Sequence, residues 1–245
     1  MYFVRRHDSI MKTLCILQHT EAEFLGLLED HFESRNIRFR YVRPFATGGS
    51  VPAAAGNFDG LVLLGAGPHG LVSGKLLPSR EHEISLARDF LERGLPVFGI
   101  GLGTCLLAMA AGGDAAAAPL RFTVGTARRV VAGALAGHLP AAYPSAVYMR
   151  DRPVLPAAAT VLAVDAGGEP ALFQVGDNSF GFLGHPGVKS AMIEDMVMES
   201  DETPDGVAGG LANLRAAQGE FARALGDMVV GMIKMSQLMP PAPHP

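Results

Sequence analysis

The segment PVFGIGLGTCLLA, at positions 96–108, constrains the fold more than any other part of the chain. It begins as a buried strand, passes through a glycine-rich turn and continues as a helix of small and apolar residues. Glycines at positions 99, 101 and 103 permit a tight turn in which the backbone packs closely. A strand that turns so sharply into a helix is typical of the elbow that holds the nucleophile in α/β enzymes.

Strand-like and helix-like segments alternate through the first half of the chain. The predicted strands cover residues 13–17, 38–42, 61–64 and 97–100. The predicted helices start near a T-x-x-E capping box (Thr20, Glu23), at Pro78 and at Leu102. This order predicts a doubly wound, mostly parallel, flavodoxin-like sheet with helices on both faces. Ligands of such sheets bind beyond the carboxyl ends of the strands, so we expect the site after Leu64 and Ile100.

The second half of the chain has a different pattern. Short strand-like runs at 129–131, 160–164, 171–175 and 180–183 alternate with glycine-rich turns and predict a more antiparallel region that closes the domain. We therefore expect a disordered leader at residues 1–10, one domain at 11–199, and a linker with a long C-terminal helix at 200–245.

The predicted C-terminal helix, from residue 207 to about 239, carries an apolar seam with alternating spacings of four and three residues. Gln218 interrupts this seam. The helix can dock on its own domain through this seam. Alternatively, the seam can contact a protein partner or a second copy of the chain, because methionine-rich surfaces adapt to other surfaces. In the second case the contact residues are Leu211, Leu214, Phe221, Leu225, Met228 and Met232.

Charge and cysteine content exclude several classes of function. The formal net charge is −4 and no Lys/Arg cluster is dense, so we expect no nucleic-acid partner. Cys15 and Cys105 form no CxxC pair, which argues against zinc or disulfides and favours a reducing cytoplasm. The uncharged run at 94–113 contains proline and a cluster of glycines, so we expect it to fold rather than to span a membrane. We expect no metal and no cofactor.

The turn at 96–108 resembles the elbow of class I glutamine amidotransferases, which reads G-I-C-L-G-H-Q-L-L-A. In this chain the family's nucleophilic cysteine falls on Gly101, and its His-Gln pair falls on Thr104 and Cys105. Segment LVLLGAGPHG resembles the family's oxyanion loop, at Gly65, Ala66, Gly67 and Pro68.

A third resemblance lies near residue 185. The segment FLGHPG is similar to the family's F-Q-F-H-P-E: it keeps His185 and Pro186 but places Gly187 at the position of the catalytic carboxylate. The runs at 149–183 and QHTEAEF at 18–24 are also similar to the family. Together these motifs cover about residues 11–190 and imply the amidotransferase fold.

The resemblance also implies lost activity. Hydrolysis of glutamine needs a thiolate, a histidine that carries the proton and a carboxylate that orients it, and the first and third positions here are glycines. Loss of one nucleophile in such a unit costs about a millionfold in rate. The remaining pocket is expected to be formed by Gly65, Ala66, Gly67, Leu102, Cys105 and His185.

This interpretation predicts a catalytically degenerate amidotransferase-like protein, a pseudoenzyme that acts as a binding or assembly subunit for an amide-forming or ligase-type enzyme. One alternative is a diverged hydrolase that acts on glutamine or a γ-glutamyl compound through Cys105 and His185. Another is a small-molecule sensor, with a small amide or amino acid as ligand. A third is a dinucleotide site, because residues 65–70 formally match G-x-G-x-x-G.

Overall fold

The computed structural model describes residues 11–239; the predicted leader at 1–10 lies outside these residues. The strands are β1 (Thr13–Leu17), β2 (Arg38–Val42), β3 (Gly60–Leu63), β4 (Val97–Ile100), β5 (Asp114–Ala116), β6 (Arg121–Arg129), β7 (Ala142–Met149), β8 (Arg152–Val154), β9 (Thr160–Val164), β10 (Pro170–Val175) and β11 (Ser179–Phe182). The helices are α1 (Leu28–Glu33), α2 (Arg80–Glu92), α3 (Gly103–Ala110), α4 (Ser190–Glu199) and α5 (Val207–Ser236), with a 3-10 turn at Ala134–Gly137.

One large sheet of nine strands organises the described residues, in the order β2-β1-β3-β4-β11-β10-β9-β6-β7. The pairs from β2 to β11 are parallel. The pairs from β11 to β7 are antiparallel. The α/β architecture, with a parallel first half and a more antiparallel second half, is therefore confirmed. The short strands β5 and β8 form a separate antiparallel pair.

Two apolar layers lie on opposite faces of this sheet. Along β1, Leu14 and Ile16 belong to one layer, whereas Cys15 and Leu17 belong to the other. This alternation follows from the two-residue repeat of a strand. Helices α1 and α5 contribute to the first layer, and α2 and α3 contribute to the second. Strands buried on both faces, such as β3 and β4, are therefore apolar throughout.

Some local predictions are wrong. The predicted capping box does not begin a helix, because α1 starts only at Leu28 and residues 20–27 have no regular structure. Only half of the box is present, since the Glu23 N–H donates to Thr20 Oγ1 at 3.2 Å while the Glu23 carboxyl turns elsewhere. Of the strand predicted at 129–131, only Arg129 is in a strand, as the last residue of the longer β6. Strand β7 was not predicted; it lies at a sheet edge, where Pro144 is tolerated because it breaks no inner ladder.

The long helix α5 docks on its own domain. Leu214, Phe221, Leu225, Met228 and Met232 of the seam are at most 2% exposed, and most of them join the layer formed by the sheet and α1. The interrupting Gln218 also has a contact of its own, because its amide donates to Val188 O at 2.9 Å and accepts from Ser190 N–H at 3.3 Å. These five side chains therefore face inward and are not free to form a partner surface, whereas Leu211, the sixth predicted contact residue, is only partly buried.

Within residues 11–239, no helix is both long enough and apolar enough to cross a membrane. Both cysteines are buried free thiols.

Candidate functional site

The parallel strands bring the predicted site residues to one edge of the sheet. Leu17 of β1 lies beside Leu63 of β3, Leu63 beside Gly99 of β4, and Ile100 beside Phe182 of β11. The segments that follow these four strands therefore meet, and they carry His19, Gly65, Gly101 and His185 in turn. These segments form the candidate site, as expected for a doubly wound sheet.

The elbow after β4 has the geometry that its glycines predict. Gly101 has φ +54°, a left-handed conformation that glycine adopts without strain. A Cβ at Gly99 would lie 2.5 Å from Gly103 O, and a Cβ at Gly103 would overlap the carbonyl of Leu63. Thr104 Oγ1 donates to Gly101 O at 2.6 Å and fixes the turn.

The nucleophile position itself is open. A Cβ built at Gly101 would have Gly65 Cα at 3.5 Å and Glu23 Oε1 at 3.8 Å as its nearest neighbours, which are ordinary contacts. A side chain at this position would therefore point toward Gly65 and Glu23. Lack of space does not explain why residue 101 is glycine.

A carboxyl group that the sequence did not predict occupies the site. Glu23 is 3% exposed, and its Oε2 accepts the Gly67 N–H at 3.3 Å. The three atoms closest to a Cβ built at Gly65 all belong to this carboxyl, and such a Cβ would overlap Oε1. Burial raises the pKa of Glu23 to about 7, although the Gly67 amide and His19 oppose this effect. The T-x-x-E pattern concealed Glu23, because it also matches a helix cap.

Behind the loop lies a buried chain of hydrogen bonds that the sequence analysis also missed. His19 Nδ1–H donates to Gly65 O at 2.7 Å, and its Nε2–H donates to Glu83 Oε2 at 2.7 Å. Ser79 Oγ–H donates to Glu83 Oε1 at 2.5 Å. Burial alone would lower the pKa of His19, but the Glu83 carboxylate raises it above its ordinary value. This ion pair ties the Gly65 loop to α2.

His185 reaches the site, but backbone groups engage both of its nitrogens. Nε2–H donates to Phe24 O at 2.8 Å, and Nδ1 accepts the Gly187 N–H at 3.1 Å. The ring is 7% exposed, and burial lowers its pKa to about 4, so it is neutral at pH 7. In a Ser-His-Asp triad the orienting carboxylate accepts the Nδ1–H of the histidine, whereas here Nδ1 accepts a backbone N–H and a carbonyl holds the Nε2 proton.

No side chain fits at Gly187. A Cβ there would lie 2.6 Å from Leu25 O and 2.9 Å from Leu28 N, and a Cβ at Gly26 would overlap Gly187 O. The Leu27 N–H donates to the same Gly187 oxygen at 2.9 Å. The backbone of residues 25–28 thus fills the volume that a carboxylate at position 187 would need.

What remains of the pocket is an inner cavity of about 10 Å³, lined by Glu23, Gly101, Tyr148 and His185 among others. This volume is about the minimum that holds a single water molecule. Ala66, Leu102 and Cys105, which were predicted to line the pocket, belong instead to the apolar layer on the α2–α3 face.

Cys105 does not lie in the cavity that His185 lines. It is fully buried, and burial raises the pKa of its thiol to about 12. A thiol in this environment stays protonated at neutral pH and lacks the exposed, electropositive setting of reactive cysteines. The structure therefore does not bring together the pair of residues, Cys105 and His185, that the hydrolase alternative requires.

A larger outer cavity of about 250 Å³ lies next to the Gly67 loop. Its lining includes Gly67 and Lys75 of the loop after β3, Glu199 at the end of α4, and Asp201 just after it. Met196 lines both the inner and the outer cavity.

The loop after β3 is held by a buried carboxylate. Asp151 accepts N–H groups from Leu71 at 2.7 Å and Val72 at 3.0 Å, and it also accepts from Ser73. The next helix, α2, starts only at Arg80, so no helix opens within the glycine motif at 65–70. The dinucleotide alternative is therefore wrong, because such a site needs the pyrophosphate at a helix N-terminus.

Comparison with solved structures agrees with this architecture. A glutamine amidotransferase from Thermotoga maritima superposes with a TM-score of 0.78 at 21% identity, covering 93% of this chain and 99% of its own. A glutamine amidotransferase from Methylobacillus flagellatus gives a TM-score of 0.78 at 20% identity, covering 96% and 98%. The chain has the glutamine amidotransferase fold. No protein-family model and no curated protein matches it.

The glutamine amidotransferase fold explains why the elbow, the Gly65 loop and His185 converge. At identities of 20–21% the likeness shows the fold alone. The chemistry of the site depends on the residues present, namely Gly101, Glu23 and His185.

Proposed function

We propose that this chain is a catalytically degenerate protein of glutamine amidotransferase fold that does not hydrolyse glutamine and acts as a binding or assembly subunit. One observation carries the proposal: the elbow position is Gly101, and the Glu23 carboxyl lies against the loop that faces it. A glutamine side chain would meet no nucleophile there and would find an inner cavity of about 10 Å³.

The state of the other two triad positions supports the same conclusion. His185 donates its Nε2 proton to a backbone carbonyl and is neutral, so no free carboxylate orients it. Backbone atoms block a carboxylate at position 187. Catalysis by such a unit needs all its members, and loss of the nucleophile alone removes nearly all of the rate.

An ammonia-release assay with purified protein and glutamine tests the proposal. We expect no release above the buffer rate, and the same result for a His185→Ala variant. Release by the wild-type chain that the His185→Ala variant lacks would overturn the proposal. Labelling with a glutamine-analogue electrophile, followed by mass spectrometry, would then locate the nucleophile, including Cys105.

A role as a subunit implies a partner, and the proposed class is an amide-forming or ligase-type enzyme in the cytoplasm. The partner surface has to lie outside the buried seam of α5, because those side chains pack on the chain's own core. Co-purification with an amide-forming enzyme encoded beside this chain tests the idea. A complex that survives size-exclusion chromatography supports it, and separate elution of the two proteins contradicts it.

The outer cavity favours ligand binding as a second candidate function. Its lining carries both a cation, Lys75, and the anions Glu199 and Asp201, a combination that suits a small zwitterion. Thermal-shift measurements with glutamine, glutamate and related amides test this candidate, because a ligand that binds only the folded state raises the Tm.

A further inference from the structure

We propose that the pocket beneath Gly65 and Gly67 is a binding site for a carboxyl group, that Glu23 fills it as an internal ligand, and that a small carboxylic acid from solution can take the same place once the Glu23 side chain is absent. This inference rests on the proposed function in one respect, that the pocket no longer holds a nucleophile. It adds the chemical class of the ligand.

The contacts of Glu23 are those of a bound ligand rather than of a surface side chain. Its carboxyl touches Gly65 so closely that any Cβ there would overlap it, and it accepts an N–H from Gly67. Backbone N–H groups of a glycine-rich loop commonly donate hydrogen bonds to anions in proteins. His19, which donates to Gly65 O from behind the loop, adds favourable positive charge for a carboxylate.

The pocket also offers a polar group that Glu23 does not use. Tyr148 lines the inner cavity and is 5% exposed, and its hydroxyl has no hydrogen-bond partner among residues 11–239. A buried hydroxyl without a partner is unfavourable. A free acid is not attached to the backbone of residue 23, so it can shift within the cavity and also accept a hydrogen bond from the Tyr148 hydroxyl.

The backbone around the Glu23 carboxyl is expected to keep its position when this carboxyl is removed, because other contacts hold residues 24–27. The Leu25 N–H donates to Tyr41 Oη at 3.0 Å, the Leu27 N–H donates to Gly187 O at 2.9 Å, and Phe24 O accepts from His185. Truncation of the side chain at residue 23 therefore leaves an empty site with its walls in place. Met196 lines both the inner and the outer cavity, so an acid that enters from the outer cavity has to pass this flexible side chain.

The test is chemical rescue of Glu23→Ala by sodium acetate at pH 5, with sodium chloride at equal ionic strength as the reference. At this pH part of the acetate is protonated, which is the form that the pocket favours, because burial raises the pKa of the Glu23 carboxyl. We expect about 0.1 M acetate to raise the Tm of this variant by about 3 °C or more, because acetate binds the folded state alone. The matched control is Glu21→Ala, which removes an exposed carboxyl two positions away. We expect acetate to leave the Tm of the control and of the wild type unchanged.

Two outcomes overturn the inference: no acetate-dependent rise in Glu23→Ala, or an equal rise in the wild type or the control. If Glu23→Ala does not fold, Gly65→Ala in the wild-type chain decides. Its methyl group would collide with the Glu23 carboxyl, so we expect a clearly lowered Tm, and an unchanged Tm refutes the placement of Glu23. Ammonia release from glutamine would overturn the proposed function without affecting these results, so the two failures are distinguishable.

Discussion

Gly101 has a left-handed backbone conformation at the elbow between β4 and α3. With φ +54°, any other residue at this position costs about 1 kcal/mol or more in conformational strain. Amidotransferases that carry a cysteine at the elbow would bear this cost for the sake of the thiol. A chain with glycine there has a relaxed turn and no nucleophile.

We therefore expect Gly101→Cys to lower the free energy of unfolding by about 1 kcal/mol and to release no ammonia from glutamine. The new thiol would have space, but it would face the Glu23 carboxyl and a neutral His185 whose proton is held by Phe24 O. Urea denaturation and an ammonia assay measure the two effects. Glutaminase activity in this variant would show that only the sulfur atom is missing.

Glu23 gives the protein a specific pH dependence. Its folded pKa of about 7 lies above its ordinary value of 4.5, so the folded state binds the proton more tightly than the unfolded state does. Its contribution to stability is present below about pH 4.5 and is lost as the pH rises toward 7, by about 3 kcal/mol at most. His185 acts in the opposite sense between about pH 4 and 6.5, because its folded pKa is lowered.

The variant Glu23→Gln isolates the first effect. We compare the free energy of unfolding of Glu23→Gln with that of the wild type at each pH. We expect the value for the variant minus that for the wild type to be larger at pH 8 than at pH 5, by about 1 to 3 kcal/mol. Denaturant unfolding of both proteins at the two pH values measures the change, and the contribution of His185 largely cancels in the comparison. A difference that is independent of pH would mean that Glu23 has an ordinary pKa.

The sequence predicted part of this site. Gly101, His185 and Gly187 were found because each lies in a short local pattern. Glu23, His19 and Glu83 were missed, because their partners lie 44 to 64 residues away in the chain. Local patterns contain no information about such contacts, and in the case of Glu23 the pattern suggested a different role.

Among the secondary-structure elements, α5 contributes most to the core of the antiparallel half. Leu225 is fully buried beside the sheet, whereas Val230 on the outer side of the helix is 38% exposed. We expect Leu225→Ala to lower the free energy of unfolding by about 3 kcal/mol and Val230→Ala by less than about 1 kcal/mol. Thermal and urea denaturation give both values. Similar losses for the two variants would contradict the docking of α5.

The loop after β3 depends on one side chain from the end of β7. Asp151 accepts backbone N–H groups of residues 71–73, so Asp151→Ala leaves one buried donor, at Leu71, and two part-buried donors, at Val72 and Ser73, without an acceptor. We expect faster hydrogen exchange at these amides and a loss of about 2 to 4 kcal/mol in stability. Exchange rates unchanged from wild type at residues 71–73 would show that Asp151 does not organise the loop.

Elements with a strong repeat were predicted well, and elements set by tertiary context were not. Strands β1, β2 and β9 and helix α5 have clear apolar periodicities and begin where the sequence indicated. Strand β7 was not predicted, since Pro144 and the small residues of AYPSAVYM argue against a strand when they are viewed locally. The neighbouring strand β6 supplies the pairing that overrides this preference.

At the scale of the whole molecule, the residues on the two sides of the domain boundary expected near residue 200 contribute to the same apolar core. Helix α5 packs with the 3-10 turn, β6, β7 and α1, so residues beyond 206 complete the apolar layer on that face. We expect a chain ended at Gly206 to lose cooperative thermal unfolding, because that layer would be exposed to water. Circular dichroism and calorimetry test this. A two-state transition in the shortened chain would show that the residues before α5 form an independent domain.

The close packing of the backbone of residues 25–28 against Gly187 also limits which substitutions the chain can accept. Substitution of cysteine at 101 and glutamate at 187 would not recreate an amidotransferase, because the glutamate has no volume to occupy until the backbone from Leu25 to Leu28 moves aside. Under the proposed function, we expect each single substitution toward the family's triad to cost stability and to restore no catalysis. Point mutations taken one at a time would then offer no gradual route to glutamine hydrolysis.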